Sequence, residues 1–191
     1  MPKATLTRKE LLSVLSELSD ELTSRSIETN IYIVGGAAMV MAFDSRNSTR
    51  DIDCRYSPKA IIDQIAVMVG ERHDLPAEWL NSHAAMFISP VVDDPFPIPI
   101  MAKGTVRITA ASAEIMLAMK IRASRPRLDE EDIAFLCSKL GITKEEEAIT
   151  IFENYYPEDP LPKYAKPLLR KALTSIRLDT AEDSGEADFG I

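Results

Sequence analysis

The spacing of apolar residues along the first third of the chain predicts a helix, a strand and a second, shorter helix. Leucines recur at helical intervals to about residue 24, after a capping-box spacing at Thr7 and Glu10, which predicts an amphipathic helix. Residues 30–34 are mostly β-branched or aromatic and predict a buried strand. Residues 37–43 form an apolar run that predicts a short helix.

The middle of the chain has a less regular pattern. Ser57 and Pro58 have the order of a helix N-cap and a first helical residue, and the apolar residues after them predict a helix to about residue 70. Residues 75–82 contain the only tryptophan, Trp79, which we place in the core as part of a short helix. Prolines exclude a regular central strand across most of residues 83–103. Short strands are expected at residues 86–89, 98–101 and 105–109.

The last part of the chain has helical periodicity. Helices are expected at residues 112–120, 133–140, 143–155 and 163–175. Thr143 and Glu146 have a second capping-box spacing, and Gly141 ends the helix before it. These patterns together predict an α+β fold, with a small mixed sheet flanked by helices and a C-terminal helical region.

Two glycines, Gly35 and Gly36, stand where the strand at residues 30–34 ends. A glycine backbone carries no Cβ, so a bulky anionic group can come close and accept hydrogen bonds from its N–H groups. The positive end of the following helix points to the same place. Gly-Gly by itself is a common turn, so this motif alone predicts a phosphate-binding turn only weakly.

Two aspartates, Asp51 and Asp53, follow about fourteen residues after the second glycine. Positions i and i+2 of a strand lie on one face, so both carboxylates point the same way while Ile52 points into the core. Carboxylates held side by side repel unless a cation lies between them, and Mg²⁺ carrying a triphosphate is the natural occupant. Asp-x-Asp also occurs by chance on exposed strands, and it is the order and spacing of the two motifs that favour a site.

This combination of Gly-Gly, a short helix, an arginine, a threonine and Asp-Ile-Asp resembles the signature of the nucleotidyltransferase superfamily, which has the polymerase-β-like fold. The closer resemblance is to AbiEii-type and related prokaryotic nucleotidyltransferase-like proteins, many of them toxin-antitoxin components. It covers roughly residues 30–140. The residues that carry it are Gly35, Gly36, Arg46, Thr49, Asp51 and Asp53, joined by residues 117–120 and by Asp132.

The resemblance implies a role for each of these residues. The glycines and Lys120 would bind the phosphates of a nucleoside triphosphate, Asp51 and Asp53 would bind Mg²⁺, and Lys120 and Asp132 would complete the catalytic set. Arg46 and Thr49 are assigned to the nucleotide site. Arg46 would steady either the strand or the triphosphate, and Thr49 is also interpretable as a structural hydrogen bonder in the connecting loop.

The residues around Lys120 leave other interpretations open. A lysine near a helix C-terminus is favoured by the helix dipole alone, and acids at a helix start are usually favourable charge placement. Asp129, in the same acidic run as Asp132, is the neighbour that could be confused with it.

One departure from the superfamily pattern concerns the metal site. Active members usually carry a third carboxylate on a later strand, and residues 105–109 contain none. Asp93 and Asp94 come before this strand, in the proline-rich stretch. Either the third ligand is dispensable or metal catalysis is impaired, which leaves room for a non-catalytic function.

Charge and composition narrow the setting. The formal net charge of −8 argues weakly against bulk nucleic-acid binding, although residues 178–191 hold five acids and no base and are predicted to be a disordered tail. A positive stripe on the last helix could meet RNA phosphates, but a solvated helix face is the commoner meaning. This stripe consists of Lys163, Lys166, Arg170 and Lys171.

Sequence features also bear on location and domains. No signal peptide or membrane-length apolar run is visible, and Cys54 and Cys137 fit buried thiols in a reducing compartment, so we expect a cytoplasmic protein. We expect a nucleotidyltransferase-like core at residues 1–141, a helical extension at 142–177 and the acidic tail at 178–191.

Two functions from different classes follow. The first is an enzyme that transfers a nucleotide from Mg²⁺–NTP to a hydroxyl of tRNA or protein, within a toxin-antitoxin or defence module that supplies a cognate antitoxin or operon partner. The second is a catalytically impaired nucleotidyltransferase-like module that acts by binding a protein partner. A third, weaker hypothesis is modification of a small molecule such as an aminoglycoside.

Overall fold

The computed structural model describes residues 5–89 and 93–185, with side chains to Ile176. These residues form two compact units. The first, called the sheet unit below, holds residues 5–88 and 94–112, and the second, the helical unit, holds residue 89, residue 93 and the residues from 113 onward. The predicted core, residues 1–141, differs from this division because it would include the first two helices of the helical unit. The predicted domain ranges stay a prediction.

The sheet unit is built on a mixed sheet. Its strands are β1 Leu6–Thr7, β2 Thr29–Ile33, β3 Ser48–Thr49, β4 Ile52–Arg55, β5 Leu80–Asn81, β6 Ile98–Lys103 and β7 Val106–Ala110. β5, β4, β2, β7 and β6 form one sheet in this order, and β1 pairs separately with β3. β2 pairs antiparallel with β4 and parallel with β7, so the strand after which the glycines stand is central.

The helices of the sheet unit are α1 Arg8–Ser24, α2 Gly35–Met41 and α3 Lys59–Arg72, followed by a 3-10 helix at His83–Phe87. The predicted capping box begins α1, with the Thr7 N–H 2.8 Å from Glu10 Oε2. Four of the five leucines of α1 and the isoleucines of β2 and β4 are buried. Alternating apolar residues therefore attach one sheet face to a helical layer, and the α+β fold is confirmed.

Two predicted elements of the sheet unit are wrong. Residues 75–82 are not helical: Leu80–Asn81 forms β5, and the Trp79 carbonyl accepts a hydrogen bond of 2.7 Å from the Ile52 N–H. Pairing with β4 overrides the local preference, while Trp79 is fully buried as predicted. Residues 86–89, predicted as a strand, lie in and after the 3-10 helix.

The proline-rich stretch and its neighbour fit the prediction better. β6 forms at Ile98–Lys103 and pairs antiparallel with β7, with an irregular register between Pro99 and Met101. An irregularity at this point follows from the proline, which has no N–H for the ladder. The strand predicted at residues 105–109 is confirmed as β7.

The helical unit contains α4 Ala113–Ala123, α5 Glu130–Leu140, α6 Glu145–Tyr155 and α7 Ala165–Gly185. Gly141 ends α5 with φ of 68°, as predicted. The capping box of α6 is shifted by one residue from the prediction, because Glu147 and not Glu146 accepts hydrogen bonds from the N–H groups of Thr143 and Lys144.

α7 is longer than predicted. It continues to Gly185, so residues 178–185 of the predicted disordered tail are helical, and residues 186–191 lie outside the described residues. Within residues 5–89 and 93–185, no helix is both long enough and apolar enough to cross a membrane.

Candidate functional site

The turn after β2 places Gly35 directly against Asp53. The Val34 N–H donates to the Asp53 carbonyl at 2.9 Å, which joins the end of β2 to β4. Gly35 then adopts φ of 65°, a conformation that favours glycine. A Cβ at Gly35 would lie 3.2 Å from Asp53 Oδ2, so the missing side chain leaves room for the carboxylate.

Gly36 has a still closer neighbour. A Cβ there would lie 2.8 Å from Thr49 Oγ1 and 3.9 Å from a terminal nitrogen of Arg46. The Thr49 hydroxyl donates to the Asp51 carbonyl at 3.3 Å, which fits the structural interpretation of this residue. The second glycine therefore lets α2 approach the loop that carries Arg46 and Thr49.

Asp51 and Asp53 lie on one face at the start of β4, with Ile52 fully buried on the other. Both aspartates are half-buried. Asp51 Oδ2 accepts a hydrogen bond of 3.3 Å from the side-chain amide of Asn81, which stands beside Asp53 in the parallel pairing of β4 and β5. Asn81 could not be predicted from the sequence, because a lone asparagine carries no signal until β5 is placed next to β4.

The opposite face of β4 is apolar. Cys54 is fully buried there, and burial, followed by the negative charge of Asp53, holds the pKa of its thiol well above its usual range. Cys54 and Cys137 are both free and buried, as predicted. The carboxylates therefore border a dry core on one side of the strand, where a thiol stays protonated.

The residues present fit a single Mg²⁺. No group of three or more histidine, cysteine, aspartate or glutamate side chains is placed to hold a metal ion in the part of the chain that the structure describes. Mg²⁺ is commonly bound by one or two carboxylates, with water and substrate phosphates as its other ligands. Asp51 and Asp53, half-buried and on one face at the start of β4, supply two such carboxylates.

Asp94 has another partner set. Its Oδ2 accepts hydrogen bonds from the Tyr32 hydroxyl at 2.7 Å and the Ser112 N–H at 2.8 Å, and its Oδ1 accepts from the Phe96 N–H at 3.0 Å. Through these hydrogen bonds, Asp94 holds its loop against β2. β7, the strand on the other side of β2 from β4, carries no carboxylate between Val106 and Ala110.

The other predicted residues, Lys120 and Asp132, form a buried cluster inside the helical unit. Lys120 Nζ lies 2.9 Å from Asp129 Oδ1 and 2.6 Å from Asp132 Oδ2. Asp129 and Asp132 are 0% and 2% exposed, and Lys120 is 5% exposed. Asp129 also accepts two hydrogen bonds from the Arg125 guanidinium.

The charged groups of this cluster pair with one another. Burial by itself raises the pKa of the Asp129 carboxyl, but hydrogen bonds from Arg125 and the charge of Lys120 outweigh it, and the pKa lies below its usual value. Asp129, the neighbour that could be confused with Asp132, shares the same lysine. The structure thus brings the predicted residues together in two groups, each within its own unit, and their roles in a reaction stay a prediction.

The predicted positive stripe on α7 is partly neutralised. Arg170 pairs with Glu145 at 2.8 Å and Lys171 with Glu130 at 2.6 Å, with both basic side chains largely exposed. Lys163 lies over the ring of Tyr164. These contacts fit the solvated helix face better than a surface dedicated to RNA.

A family model described as a nucleotidyltransferase of unknown function (DUF6036) matches residues 9–137, more than half of the chain. The chain belongs to this family. The match confirms the superfamily predicted from the glycine and aspartate motifs, and its range includes every residue predicted for the site. No curated protein and no solved structure matches the chain.

Membership of this nucleotidyltransferase family gives the motifs a chemical context. A nucleoside triphosphate is the substrate class that the family description suggests. The Gly35–Asp53 and Gly36–Thr49 approaches both lie within the matched range. The closer resemblance to AbiEii-type proteins stays a prediction.

Proposed function

We propose that this chain transfers a nucleotidyl group from Mg²⁺–NTP to a hydroxyl group of tRNA or of a protein. The observation that carries the proposal is the packing of Gly35 against Asp53, with Asp51 on the same face of β4. Two carboxylates and a side-chain-free turn are brought together by pairing of β2 and β4, in a chain of a nucleotidyltransferase family.

The turn and its neighbours would bind the triphosphate. Gly35 and Gly36 offer a backbone that phosphate oxygens can approach closely. The guanidinium of Arg46, beside Gly36, would offset part of the phosphate charge. Thr49 would hold the loop through its bond to the Asp51 carbonyl, so that Arg46 and Asp51 keep their places.

The carboxylates of Asp51 and Asp53 would hold Mg²⁺ and fix the position of the α-phosphate relative to the acceptor. When bound, the ion makes the α-phosphorus more electrophilic and offsets charge on the pyrophosphate that leaves. Holding the acceptor oxygen in line with the leaving group is the chain's own contribution, because positioning supplies much of the acceleration in such transfers.

Lys120 and Asp132 enter this proposal through the resemblance, as a phosphate-binding lysine and a catalytic aspartate. Their ion pair supports a second interpretation, in which they hold α4 against α5. The two interpretations differ in what Lys120→Met does, since a structural lysine affects stability and a phosphate-binding lysine affects transfer at unchanged stability.

The test is a transfer assay with each of the four α-³²P-labelled NTPs, Mg²⁺ and total tRNA. Label should move into RNA or protein with the wild type, and Asp53→Asn should lower the rate by about 10³-fold, because several kcal/mol of charge stabilisation are lost. Equal labelling by Asp53→Asn and wild type would contradict the proposal. Arg107→Gln, on an exposed position of β7, is the matched control.

The second candidate function is a binding module without catalysis. It is favoured by one observation, the lack of a carboxylate on β7 next to β2. Such a module would hold Mg²⁺–NTP without transferring label, and would act through a protein partner. Thermal stabilisation by Mg²⁺–NTP with no transfer would favour this function over the first.

The resemblance to AbiEii-type proteins extends the proposal to a toxin-antitoxin or defence module. The partner would then be a cognate antitoxin encoded beside this chain. Growth arrest on expression of the wild type, relieved by the neighbouring gene and absent with Asp53→Asn, is the expected result. Equal arrest with Asp53→Asn would contradict a toxin that works by transfer.

A further inference from the structure

Asn81 has a defined place beside the two aspartates. β4 and β5 pair in parallel, with Asp53 opposite Asn81 and Ile52 opposite Leu80. Residues directly opposite in a sheet share a face, so the Asn81 side chain rises on the face that carries Asp53. Asp51 is two residues earlier on that same face.

The hydrogen bonds of Asn81 fix which end of its amide faces Asp51. Its Oδ1 accepts a hydrogen bond of 2.9 Å from the His83 N–H, at the start of the 3-10 helix. Because an N–H group can donate only to the oxygen, the nitrogen must point the other way. That nitrogen donates to Asp51 Oδ2 and to the Glu78 carbonyl, each at 3.3 Å.

Burial limits the freedom of this amide. Asn81 is 5% exposed, and a buried polar group that loses its partner carries the full cost of desolvation. The bonds to His83 and Glu78 are both to backbone, so the amide is held by the chain itself and not by other mobile side chains. Asp51 therefore meets a hydrogen-bond donor whose direction is set before any ligand binds.

The donor is also neutral. A lysine or arginine at this place would neutralise Asp51 and compete with a bound cation, whereas an amide orients one carboxylate oxygen and leaves the negative charge in place. The contrast with Lys120 is direct, since that ammonium lies within 3 Å of two carboxylates.

We infer that Asn81 is a positioning residue, whose amide orients the Asp51 carboxylate for a divalent cation shared with Asp53. The inference rests on the proposed function, because it requires that these carboxylates bind the cation. Asn81 does not touch the nucleotide in this scheme; it acts through Asp51. Partners of this kind typically change metal affinity by about 10- to 100-fold when removed.

The test is Mn²⁺ binding to the 191-residue chain, followed by electron paramagnetic resonance, with no nucleotide and no acceptor. Asn81→Ala should weaken Mn²⁺ binding by about 10- to 100-fold and change the spectrum of the bound ion. Asp53→Asn should remove the binding. Circular dichroism of each variant reports whether the fold is kept.

The matched control is Trp79→Phe, two residues before Asn81. It removes the hydrogen bond of 2.7 Å from the Trp79 indole to the Ala66 carbonyl and so loosens the attachment of β5, without touching either aspartate. Its thermal unfolding midpoint should fall while its Mn²⁺ affinity stays at the wild-type value. A loss of affinity equal to that of Asn81→Ala would overturn the inference and reduce Asn81 to support of the fold.

The remaining outcomes separate this inference from the proposed function. If the wild type binds Mn²⁺ and Asn81→Ala binds it equally well, the inference is overturned and the proposed metal site stands. If the wild type binds no more Mn²⁺ than Asp53→Asn, the proposed metal site fails and the role of Asn81 fails with it.

Discussion

Two pairs of aspartates in this chain have opposite surroundings. Asp129 and Asp132, in the helical unit, are buried and share the ammonium of Lys120. Asp51 and Asp53, in the sheet unit, are half-buried, and the hydrogen bond to Asp51 comes from a neutral amide. The first pair is almost inaccessible to solvent and shares one ammonium, while the second is only half-buried and Asp51 meets an uncharged donor. Carboxylates that look alike in sequence thus differ in burial and in the charge of their hydrogen-bond donors.

The largest expected effect is on stability of the helical unit. Lys120→Met keeps the side-chain volume but leaves two buried carboxylates without their shared cation, which should cost about 3–5 kcal/mol. Asp51→Asn, in the half-buried pair, should change the free energy of unfolding by no more than about 0.5 kcal/mol. Urea unfolding followed by circular dichroism measures both. Similar losses of unfolding free energy in the two variants would contradict this difference between the two aspartate pairs.

The next effect separates two glycines with nearly the same positive φ. Gly35 and Gly141 have φ of 65° and 68°, and a Cβ at Gly141 would meet nothing within 4 Å. Gly35→Ala and Gly141→Ala should each cost about 1–2 kcal/mol from backbone strain alone. Only Gly35→Ala, which crowds Asp53 Oδ2, should also weaken Mn²⁺ binding, by roughly tenfold. Equal Mn²⁺ affinity in the two variants would show that the approach of Gly35 to Asp53 has no part in binding.

Low pH should reduce the stability that Asp129, of the buried aspartate pair in the helical unit, contributes. The pKa of Asp129 is lowered on folding, so its stabilisation is complete above the unfolded pKa of about 4 and is lost as pH falls through the lower folded pKa. The free energy of unfolding should therefore fall below about pH 4, by up to about 1.4 kcal/mol per pH unit for this group. Measured between pH 2 and pH 6, Asp129→Asn should be less stable overall but have a shallower slope than Asp51→Asn. Parallel slopes would contradict this assignment.

The smallest effect concerns the surface of α7. Arg170 and Lys171 are paired with Glu145 and Glu130 but are largely exposed, and such pairs contribute about 0.2–1 kcal/mol each. The double variant Arg170→Ala/Lys171→Ala should lose little stability and should label tRNA at nearly the wild-type rate. A large loss of tRNA labelling at unchanged stability would make this helix part of the acceptor site.

The glycines and aspartates of the sheet unit lie close together in the fold, as their spacing predicted, because they are close along the chain; their roles stay a prediction. Gly35, Gly36, Thr49, Asp51 and Asp53 lie within one strand-turn-helix-strand segment, so local spacing already limits where they can meet. The start of α1 and the end of α5 followed from the capping residues Glu10 and Gly141 for the same reason.

The predictions were wrong where segments distant in sequence decide the local structure. Residues 75–82 have a helical pattern, yet pairing with β4 makes Leu80–Asn81 a strand. That pairing is also what brings Asn81 to Asp51, across thirty positions of the chain. Asp94 likewise accepts a hydrogen bond from the Tyr32 hydroxyl, and no sequence spacing predicts that contact.

By itself, the sequence determined the α+β class, the glycine turn, the aspartate pair and the family, because each rests on side-chain type and short-range order. Only the tertiary structure decided what lies beside each carboxylate. Whether a charge is neutralised depends on burial and on partners within about 3 Å, and these are set when separate elements pack. A neutral amide beside Asp51 and an ammonium beside Asp129 are therefore properties of the fold, although every residue involved is written in the sequence.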